Sequence, residues 1–294
     1  MKNILVVTGG AGFIGSNLIE ELIKFKKYKI ISLDNYSSGS FKNHIKNERI
    51  KYLKGNTQNI ESLLKAYRNN IHTIFHFGEF ARIFQSFKKI DECFSSNIKG
   101  SLNLFNFALK NKIKLIYSAT SASLGSKGKD MNLSPYAFSK AKNLELLENL
   151  KKWFNFKYEV VYFYNVYGPR QICKGDMATV VGIFEDHFKK SKRLPVVRPG
   201  TQVRRFTHVY DTVKACIFAW KKNRLKHYSV VGRESFSIIE LAAIFKSKIK
   251  YLPTRKGERF ASAITKMNLN NKIIRLPAKI RLKDYVNNFL LNSR

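Results

Sequence analysis

The stretch Gly9-Gly10-Ala11-Gly12-Phe13-Ile14-Gly15 decides the fold of this chain. It follows an apolar run, Ile4 to Val7, that is typical of a buried strand, and it precedes a segment whose apolar residues recur at helical spacing. Glycines at Gly9, Gly12 and Gly15 allow a tight turn, let backbone N–H groups approach a pyrophosphate and let the helix pack closely on the strand. The helix N-terminus adds its dipole to the same place. The stretch therefore predicts a dinucleotide-binding unit, with an ordinary turn as the alternative.

A carboxylate lies where such a unit would need one. Asp34 follows the second predicted strand, 19 residues beyond Gly15, and a carboxylate there accepts hydrogen bonds from the adenine ribose hydroxyls. It would repel a 2′-phosphate, and Asn35 and Tyr36 follow it rather than an arginine. The pattern favours NAD over NADP. The alternative is a turn aspartate that opens the polar loop Asn35 to Ser40.

Strand-like and helix-like segments alternate along the first half of the chain, which predicts a parallel sheet covered on both faces. The predicted strands are Ile4 to Val7, Lys29 to Leu33, Ile71 to His76, Lys114 to Ser118 and Tyr158 to Tyr164. The predicted helices are Ser16 to Lys26, Ile60 to Asn69, Ser96 to Lys110 and Tyr136 to Phe154. We therefore expect an α/β fold with a Rossmann-type, doubly wound parallel sheet over residues 1–165.

The pattern becomes less regular after Gly168-Pro169, which predicts a smaller C-terminal α/β lobe over residues 166–294. Some of its strands are expected to return to the first domain. Its predicted elements are helices at Thr179 to Lys190, Tyr210 to Lys222 and Ser237 to Phe245, a strand at Pro195 to Arg198, and a C-terminal tail.

Length and composition exclude several classes of protein. A chain of 294 residues with 44% hydrophobic residues can bury a large core, so collagen-like, disordered and disulfide-scaffold proteins are excluded. No apolar run reaches the length of a membrane span, and no signal peptide is predicted, so we expect a cytoplasmic protein. The three cysteines, Cys93, Cys173 and Cys216, have no metal-binding or redox spacing, and no metal site is expected.

The formal net charge is +34, from 54 Lys and Arg against 20 Asp and Glu. Residues 1–165 carry +14 of this charge and residues 166–294 carry +20. Nucleic acid, an anionic membrane, an anionic small molecule and a plain lysine-rich bias are the four explanations. Basic residues are spread evenly and no nucleic-acid-binding module is visible, so we expect no specific nucleic-acid partner and some steering of an anionic substrate.

A tyrosine and a lysine four residues apart, Tyr136 and Lys140, begin a predicted helix and share one of its faces. An ammonium beside a phenol favours the phenolate, which suits a general base. With 39 lysines and 14 tyrosines in the chain, chance alone supplies about two such pairs, and Tyr210 with Lys214 is the second. Context favours Tyr136, because the hydroxyl cluster Ser118 to Ser121 ends a predicted strand 16 residues earlier, at the sheet edge where ligands bind.

These features, with others along the chain, resemble the extended short-chain dehydrogenase/reductases of the nucleotide-sugar epimerase and dehydratase family. The further motifs are Leu33-Asp34-Asn35, His76-Phe77-Gly78, Asn97-x-x-Gly100, Ser134-Pro135-Tyr136-x-x-x-Lys140, Tyr164-Asn165-Val166-Tyr167-Gly168-Pro169-Arg170, Arg204-x-Phe206-x-His208-Val209-x-Asp211 and Arg255-x-Gly257-Glu258. The resemblance implies a domain that holds NAD and a C-terminal lobe that holds a nucleoside-diphosphate sugar.

The resemblance also assigns roles to residues. Tyr136 would take the proton of a sugar hydroxyl, Lys140 would bind the nicotinamide ribose and lower the pKa of Tyr136, and Thr120 would hydrogen-bond the same sugar oxygen. Further cofactor contacts would come from Gly9, Gly12, Phe13, Ile14, Gly15, Asp34, Asn35, Ser37, Asn56, Thr57, Phe77, Gly78 and Tyr164. Further substrate contacts would come from Asn165, Val196, Val197, Arg204 and Arg255.

Departures from the family pattern narrow the reaction. The dehydratases and decarboxylases of the family carry a carboxylate just after the catalytic threonine, where this chain has Ser121 and Ala122. Epimerisation at C4 of a UDP-hexose is therefore favoured. An ADP-heptose 6-epimerase, with Lys174 as second base, is the first alternative. A NAD-sensing or nucleic-acid-binding protein without activity is the alternative of another class, and the retained Thr120, Tyr136 and Lys140 disfavour it.

Other departures concern the pocket. Asn56 replaces the usual aspartate near adenine, although its amide oxygen can still accept a bond. The loop from Gly125 to Pro135 is shorter than in most relatives. Residues Glu79 to Arg82 depart from an Ala/Gly-rich pattern. Arg82 is a candidate for recognising an acidic or unusual sugar, and the alternative is that it is an ordinary surface residue. Relatives dimerise through the helices at 96–110 and 136–154, so a homodimer is expected.

Overall fold

A computed structural model describes residues 2–124, 132–256 and 273–293 of the chain. Its strands are β1 (Ile4–Thr8), β2 (Lys29–Asp34), β3 (Ile50–Lys54), β4 (Ile71–His76), β5 (Lys114–Thr120), β6 (Tyr158–Phe163), β7 (Val166–Tyr167), β8 (Leu194–Val197), β9 (Val203–Arg205), β10 (Thr207–His208), β11 (His227–Val231), β12 (Ser235–Ser237), β13 (Ile249–Leu252) and β14 (Ile273–Pro277). Its α-helices are α1 (Phe13–Leu22), α2 (Ile60–Leu64), α3 (Ile83–Lys88), α4 (Ile90–Phe94), α5 (Ser101–Lys110), α6 (Pro135–Phe154), α7 (Val180–Lys189), α8 (Val209–Lys222), α9 (Ile238–Ile244) and α10 (Leu282–Leu291).

Eight strands of the described residues form one sheet in the order β14-β11-β6-β5-β4-β1-β2-β3, and each neighbouring pair is parallel. The chain moves outward in one direction from β1 to β3 and then returns to the other side of β1 with β4. The connections after β1 and β4 therefore diverge, and their carboxyl ends open a crevice of the kind in which doubly wound sheets bind ligands.

Helices cover both faces of the sheet. On one face, Leu104 and Phe105 of α5 and Leu147 of α6 pack into a buried cluster with alternate residues of the central strands. On the other face, Leu18 of α1 and Val213 of α8 pack in a second cluster. Because side chains alternate along a strand, β1 contributes to both clusters and is buried throughout. The predicted Rossmann-type fold is confirmed.

The C-terminal half builds a second, smaller core. Helices α7, α9 and α10 enclose Phe184, Leu241, Phe245 and Val286, next to the short strand pairs β8 with β13 and β9 with β12. The same half also supplies β11, β14 and α8 to the main sheet and its cover. The domain boundary after Asn165 stays a prediction.

Several elements differ from those predicted. Helix α1 begins at Phe13 rather than Ser16, because Gly12 already occupies its N-cap position. Strand β3 has no counterpart among the predicted strands, because it lies at the sheet edge, where no residue of it is fully buried and the apolar signal is weak. The predicted tail contains β14 and α10. In the described part of the chain, the helices are too short or too polar to cross a membrane.

Candidate active site at the carboxyl edge of the sheet

The turn after β1 has the backbone geometry that its glycines predict. Gly9 has a φ of +68°, and a Cβ added there would lie 2.9 Å from the backbone nitrogen of Gly78. A Cβ at Gly15 would lie 2.1 Å from the carbonyl oxygen of Gly9. Gly12 caps α1 without any side-chain hydrogen bond. The first turn of α1 therefore presents bare backbone to the crevice, as a bound diphosphate requires.

A cavity of about 560 Å³ follows this turn along the carboxyl ends of the strands. Nearly all of the expected cofactor residues line it, together with the expected base and its lysine. They are Gly9, Gly12, Phe13, Ile14, Gly15, Asp34, Asn35, Ser37, Asn56, Thr57, Phe77, Gly78, Tyr136 and Lys140. The fold thus brings together residues that are up to 131 positions apart in the sequence.

Asp34 is fixed at one end of this cavity. The backbone N–H of Ala11 donates to its Oδ2 at 2.9 Å, and that of Tyr36 donates to its Oδ1 at 2.8 Å. Burial raises the pKa of Asp34, while these backbone donors act in the opposite direction. Each oxygen still has a lone pair for a ligand hydroxyl.

Asn56 lies beside the same end. Its amide oxygen accepts a hydrogen bond from Nδ2 of Asn35 at 2.7 Å. One lone pair of the oxygen that was expected to face adenine is therefore already used within the protein. The bond ties the loop after β2 to the loop after β3 and shapes the wall of the cavity.

Tyr164, expected beside the nicotinamide, lies elsewhere. It is buried in the sheet core, and its phenol oxygen accepts a hydrogen bond from Ser229 at 3.2 Å. Phe163 lines the cavity instead, with its ring 5.5 Å from that of Phe77. Neighbouring residues of an extended segment face opposite sides, so an error of one position exchanges a core residue for a site residue.

Tyr136 lies in the first turn of α6, which begins with Pro135 and is capped by a hydrogen bond from the Ala137 N–H to the side chain of Ser134. The phenol is buried, and burial raises the pKa of Tyr136 to about 12. A hydrogen bond with Thr120 lowers the pKa, the charge of Glu79 raises it, and the charge of Arg82 lowers it. Its proton affinity is therefore set by its burial and by groups from two other segments, the end of β5 and the loop between β4 and α3.

Lys140 lies one turn further along α6 and is also buried. Its ammonium forms an ion pair with Glu79 and donates a hydrogen bond to the carbonyl oxygen of Ser118. Burial lowers the pKa of Lys140, and Glu79 opposes that shift. The expected lowering of the Tyr136 pKa by Lys140 is thus countered here by a carboxylate that raises it.

Glu79 is a site residue whose role the sequence did not reveal. Its Oε1 accepts hydrogen bonds from Ser101 at 3.0 Å, Tyr117 at 3.1 Å and Asn143 at 3.2 Å, and it lines the cavity. The one sequence feature that could have indicated this role is that Glu79 is charged where the family pattern is rich in Ala and Gly. With Lys140, four donors surround this buried carboxylate. This indicates that the fold specifically holds Glu79 in this position.

The expected substrate residues of the second lobe lie outside the lining of this cavity. Asn165 donates from Nδ2 to the carbonyl oxygen of Arg205 at 2.8 Å, Arg204 lies on β9, and the Arg255 guanidinium lies 5.4 Å from the ring centre of Phe84. Val196 is buried in the core of that lobe and Val197 is half-buried. Gly257, Glu258 and residues 125–131 of the short loop lie outside the described residues.

Two further side chains bear on the reaction. Ala122 is buried and Ser121 is half-buried, so the places that carry an acid in dehydratases hold none here. Lys174, the candidate second base, is 69% exposed and pairs with Asp186 at 3.5 Å; it does not line the cavity itself, although Ile172 and Asp176 do. In the described residues, no group of three or more His, Cys, Asp or Glu could hold a metal ion.

Comparisons with known proteins identify the family. The model of the NAD dependent epimerase/dehydratase family matches residues 5–232. A UDP-N-acetyl-alpha-D-glucosaminuronate decarboxylase of Bacillus cytotoxicus is 31% identical, with 87% of this chain and 85% of that protein covered.

Two solved structures share the whole fold. A UDP-glucose 4-epimerase of Thermotoga maritima, solved with UDP-glucose, has a TM-score of 0.86 at 26% identity and covers 98% of this chain and 97% of its own. A UDP-N-acetylglucosamine 4-epimerase of Methanobrevibacter ruminantium has a TM-score of 0.84 at 27% identity, with 100% and 98% covered.

Proposed function

The chain belongs to the NAD-dependent epimerase/dehydratase family, and from this membership we propose that it epimerises a nucleoside-diphosphate sugar at C4, with a UDP-hexose as substrate. The observation that carries the proposal is the placement of Tyr136 and Lys140 in the same cavity as the glycine turn. A base and a dinucleotide cradle in one crevice suit a hydride transfer coupled to a proton transfer.

The residues of the turn fit NAD. The backbone approaches closely at Gly9 and Gly15, where a Cβ would collide with the backbone of the same turn or of its neighbour. Asp34 offers carboxylate oxygens at the expected ribose position and disfavours a 2′-phosphate. When bound, NAD would supply a hydride acceptor and donor next to the sugar, so that no net oxidation would occur.

Tyr136 performs the proton transfer in the proposed mechanism. Its phenolate takes the proton of the 4-hydroxyl while hydride leaves C4, and a 4-keto sugar results. The hydrogen bond between Thr120 and Tyr136 holds the phenol in position. After the keto sugar turns over in the pocket, hydride returns to the opposite face of C4 and Tyr136 gives its proton back to the oxygen.

The reaction class rests on the two residues that come directly after Thr120. Elimination of water requires an acid beside the leaving group, and Ser121 and Ala122 supply none. A 6-epimerase is the second candidate, but the ion pair of Lys174 with Asp186 and the exposure of Lys174 do not favour Lys174 as its second base. A protein that only senses the nucleotide would need neither Tyr136 nor its partners.

We also propose that two copies of the chain form a homodimer through α5 and α6. Leu102 of α5 is 40% exposed and Trp153 of α6 is 63% exposed, which is more apolar surface than these helices need toward the sheet. Light scattering on the eluting protein measures the mass. A value near twice 34.0 kDa supports the dimer, and a single-chain mass contradicts it.

The direct test of the proposed activity is a substrate panel. Purified protein supplied with NAD is incubated with UDP-, GDP-, ADP- and dTDP-hexoses, and the products are separated by chromatography and identified by NMR. We expect interconversion of the C4 epimers of a UDP-hexose. Loss of water, release of carbon dioxide, or inversion at C6 alone would each assign the chain to another reaction of the family.

A further inference from the structure

Arg82 lines the same cavity as Tyr136. It immediately precedes α3, and its side chain reaches across the crevice to the loop that carries Met177, a residue of the C-terminal half. Burial raises the pKa of Tyr136, and the charge of Arg82 acts in the opposite direction. The guanidinium is therefore near the position where the proposed reaction takes place.

The contacts of Arg82 leave its charge unneutralised. Nη1 donates to the carbonyl oxygen of Ala81 at 2.8 Å, and Nη2 donates to the carbonyl oxygen of Met177. Nε is buried and has no acceptor in the described residues. Carbonyl oxygens satisfy donors, but they do not offset the positive charge of this half-buried guanidinium, which is costly without an anion.

The cavity's own carboxylates do not fill this role. Glu79 is paired with Lys140, and Glu92 lies 3.4 Å from the ammonium of Lys89. Asp176 also lines the cavity, yet no carboxylate in the part of the chain that is described forms an ion pair with Arg82. A planar guanidinium with free donors and a neighbouring cavity is suited to a carboxylate brought by a ligand.

We propose that Arg82 binds a carboxylate on the sugar, so that the substrate of this cavity is a nucleoside-diphosphate sugar acid. This inference rests on the proposed function, because Tyr136 marks the reacting carbon only if it is the base. In a hexuronic acid the carboxyl group is borne by C5, the neighbour of C4. An arginine next to the base of C4 is thus placed for a sugar carboxylate, whereas the residues expected to hold the diphosphate lie on the second lobe.

The test measures binding rather than turnover, so it does not depend on the reaction. Calorimetry on the Tyr136→Phe protein with saturating NAD compares three probes: UDP-glucuronic acid, UDP-glucose and UDP. We expect UDP-glucuronic acid to bind at least ten times more tightly than UDP-glucose. Adding Arg82→Gln should abolish that preference, and adding Arg82→Lys should retain part of it, because an ammonium cannot pair with both carboxylate oxygens.

Arg49→Gln is the matched control, since Arg49 also donates only to carbonyl oxygens but lies away from the cavity. It should leave the preference intact. Equal affinity for the two sugars, no binding of UDP-glucuronic acid, or an equal loss for UDP and UDP-glucuronic acid in Arg82→Gln would overturn the proposal. Failure of the proposed function would show separately, as absence of C4 epimerisation by the wild-type protein both of the hexoses in the substrate panel and of UDP-glucuronic acid.

Discussion

The ammonium of Lys140 is paired with the carboxylate of Glu79, and both side chains are almost completely buried. The pair has no net charge, so Lys140 does not act on Tyr136 as an isolated cation. Glu79 instead raises the pKa of Tyr136 and supports the charged form of Lys140. Tyr136 therefore binds its proton more tightly in this setting and is harder to deprotonate.

Replacing Glu79 should therefore move the pH dependence of activity. In Glu79→Gln the size remains, while the negative charge and one of the two acceptor oxygens are lost. The pKa of Tyr136 falls, so the rising limb of kcat/KM against pH should shift to lower pH, by about one unit for a shift of about 1.4 kcal/mol. Pre-steady-state or steady-state rates from pH 6 to 10 measure it.

Glu145→Gln serves as the control, because Glu145 is exposed and pairs with Lys142 on the same helix. Its profile should match that of the wild type. An unshifted profile in Glu79→Gln, with normal NAD content, would mean that Glu79 only supports the fold.

The two Tyr-x-x-x-Lys pairs should behave differently. Tyr136→Phe removes the proton acceptor in the cavity and should lower kcat by at least about 100-fold, the range of general base catalysis, while NAD remains bound. Tyr210→Phe changes the second pair, whose tyrosine is 37% exposed on α8, and should keep full activity. Comparable losses in both variants would contradict the assignment of the base.

Asp34 should control the choice of dinucleotide. Asp34→Asn removes the charge without changing the size, so repulsion of a 2′-phosphate is lost. The preference for NAD over NADP, measured as the ratio of the two Kd values, should fall on the order of tenfold, about 1.4 kcal/mol. Glu48→Gln, at an exposed position before β3, is the control and should leave the ratio unchanged. An unchanged ratio in Asp34→Asn would mean that Asp34 is only a turn residue.

Acid should destabilise the protein through His76. This ring is buried between Thr8, at 2.8 Å from Nδ1, and Ser101, at 3.0 Å from Nε2. Burial lowers the pKa of His76 to about 4, below the 6.5 of an unfolded histidine. The unfolded chain then binds the extra proton, and the free energy of unfolding falls as the pH drops from about 6.5 to about 4, by up to about 3 kcal/mol.

Denaturant unfolding between pH 7.5 and 4.5 measures this effect. His76→Gln should unfold at lower denaturant at pH 7.5, but its stability should fall less steeply on acidification. His187→Gln, a half-buried position on α7, should retain the steep fall. Parallel curves for wild type and His76→Gln would rule out His76 as the source.

The parts of the site that could be predicted from the sequence are those whose geometry is set by residues close to them in the chain. The glycine turn and Asp34 are fixed by β1, β2 and the first turn of α1, all within the first 34 residues, and the structure places them in one cavity. Their residue types are required by backbone geometry, which a sequence shows directly.

The parts that could not be predicted depend on contacts across the chain. Glu79 acquires its role from Lys140, 61 residues later, and Arg82 from Met177, 95 residues later. The sequence showed that Glu79 to Arg82 depart from an Ala/Gly-rich pattern, but it gave Glu79 no role and did not decide between a sugar contact and a surface position for Arg82. The placement of Tyr164 has a different source, since whether Phe163 or Tyr164 faces the cavity depends on strand register, which motif spacing does not fix to one residue.

The proposed mechanism requires that hydride leaves C4 of the sugar and returns to the same carbon. A UDP-hexose deuterated at C4 tests this most directly, with the C4 epimer isolated and its deuterium content measured by mass spectrometry and NMR. We expect that the epimer forms and keeps its deuterium at C4, with no deuterium lost to solvent. An epimer whose C4 deuterium has been replaced by solvent hydrogen, or a product altered at another carbon, would contradict the mechanism.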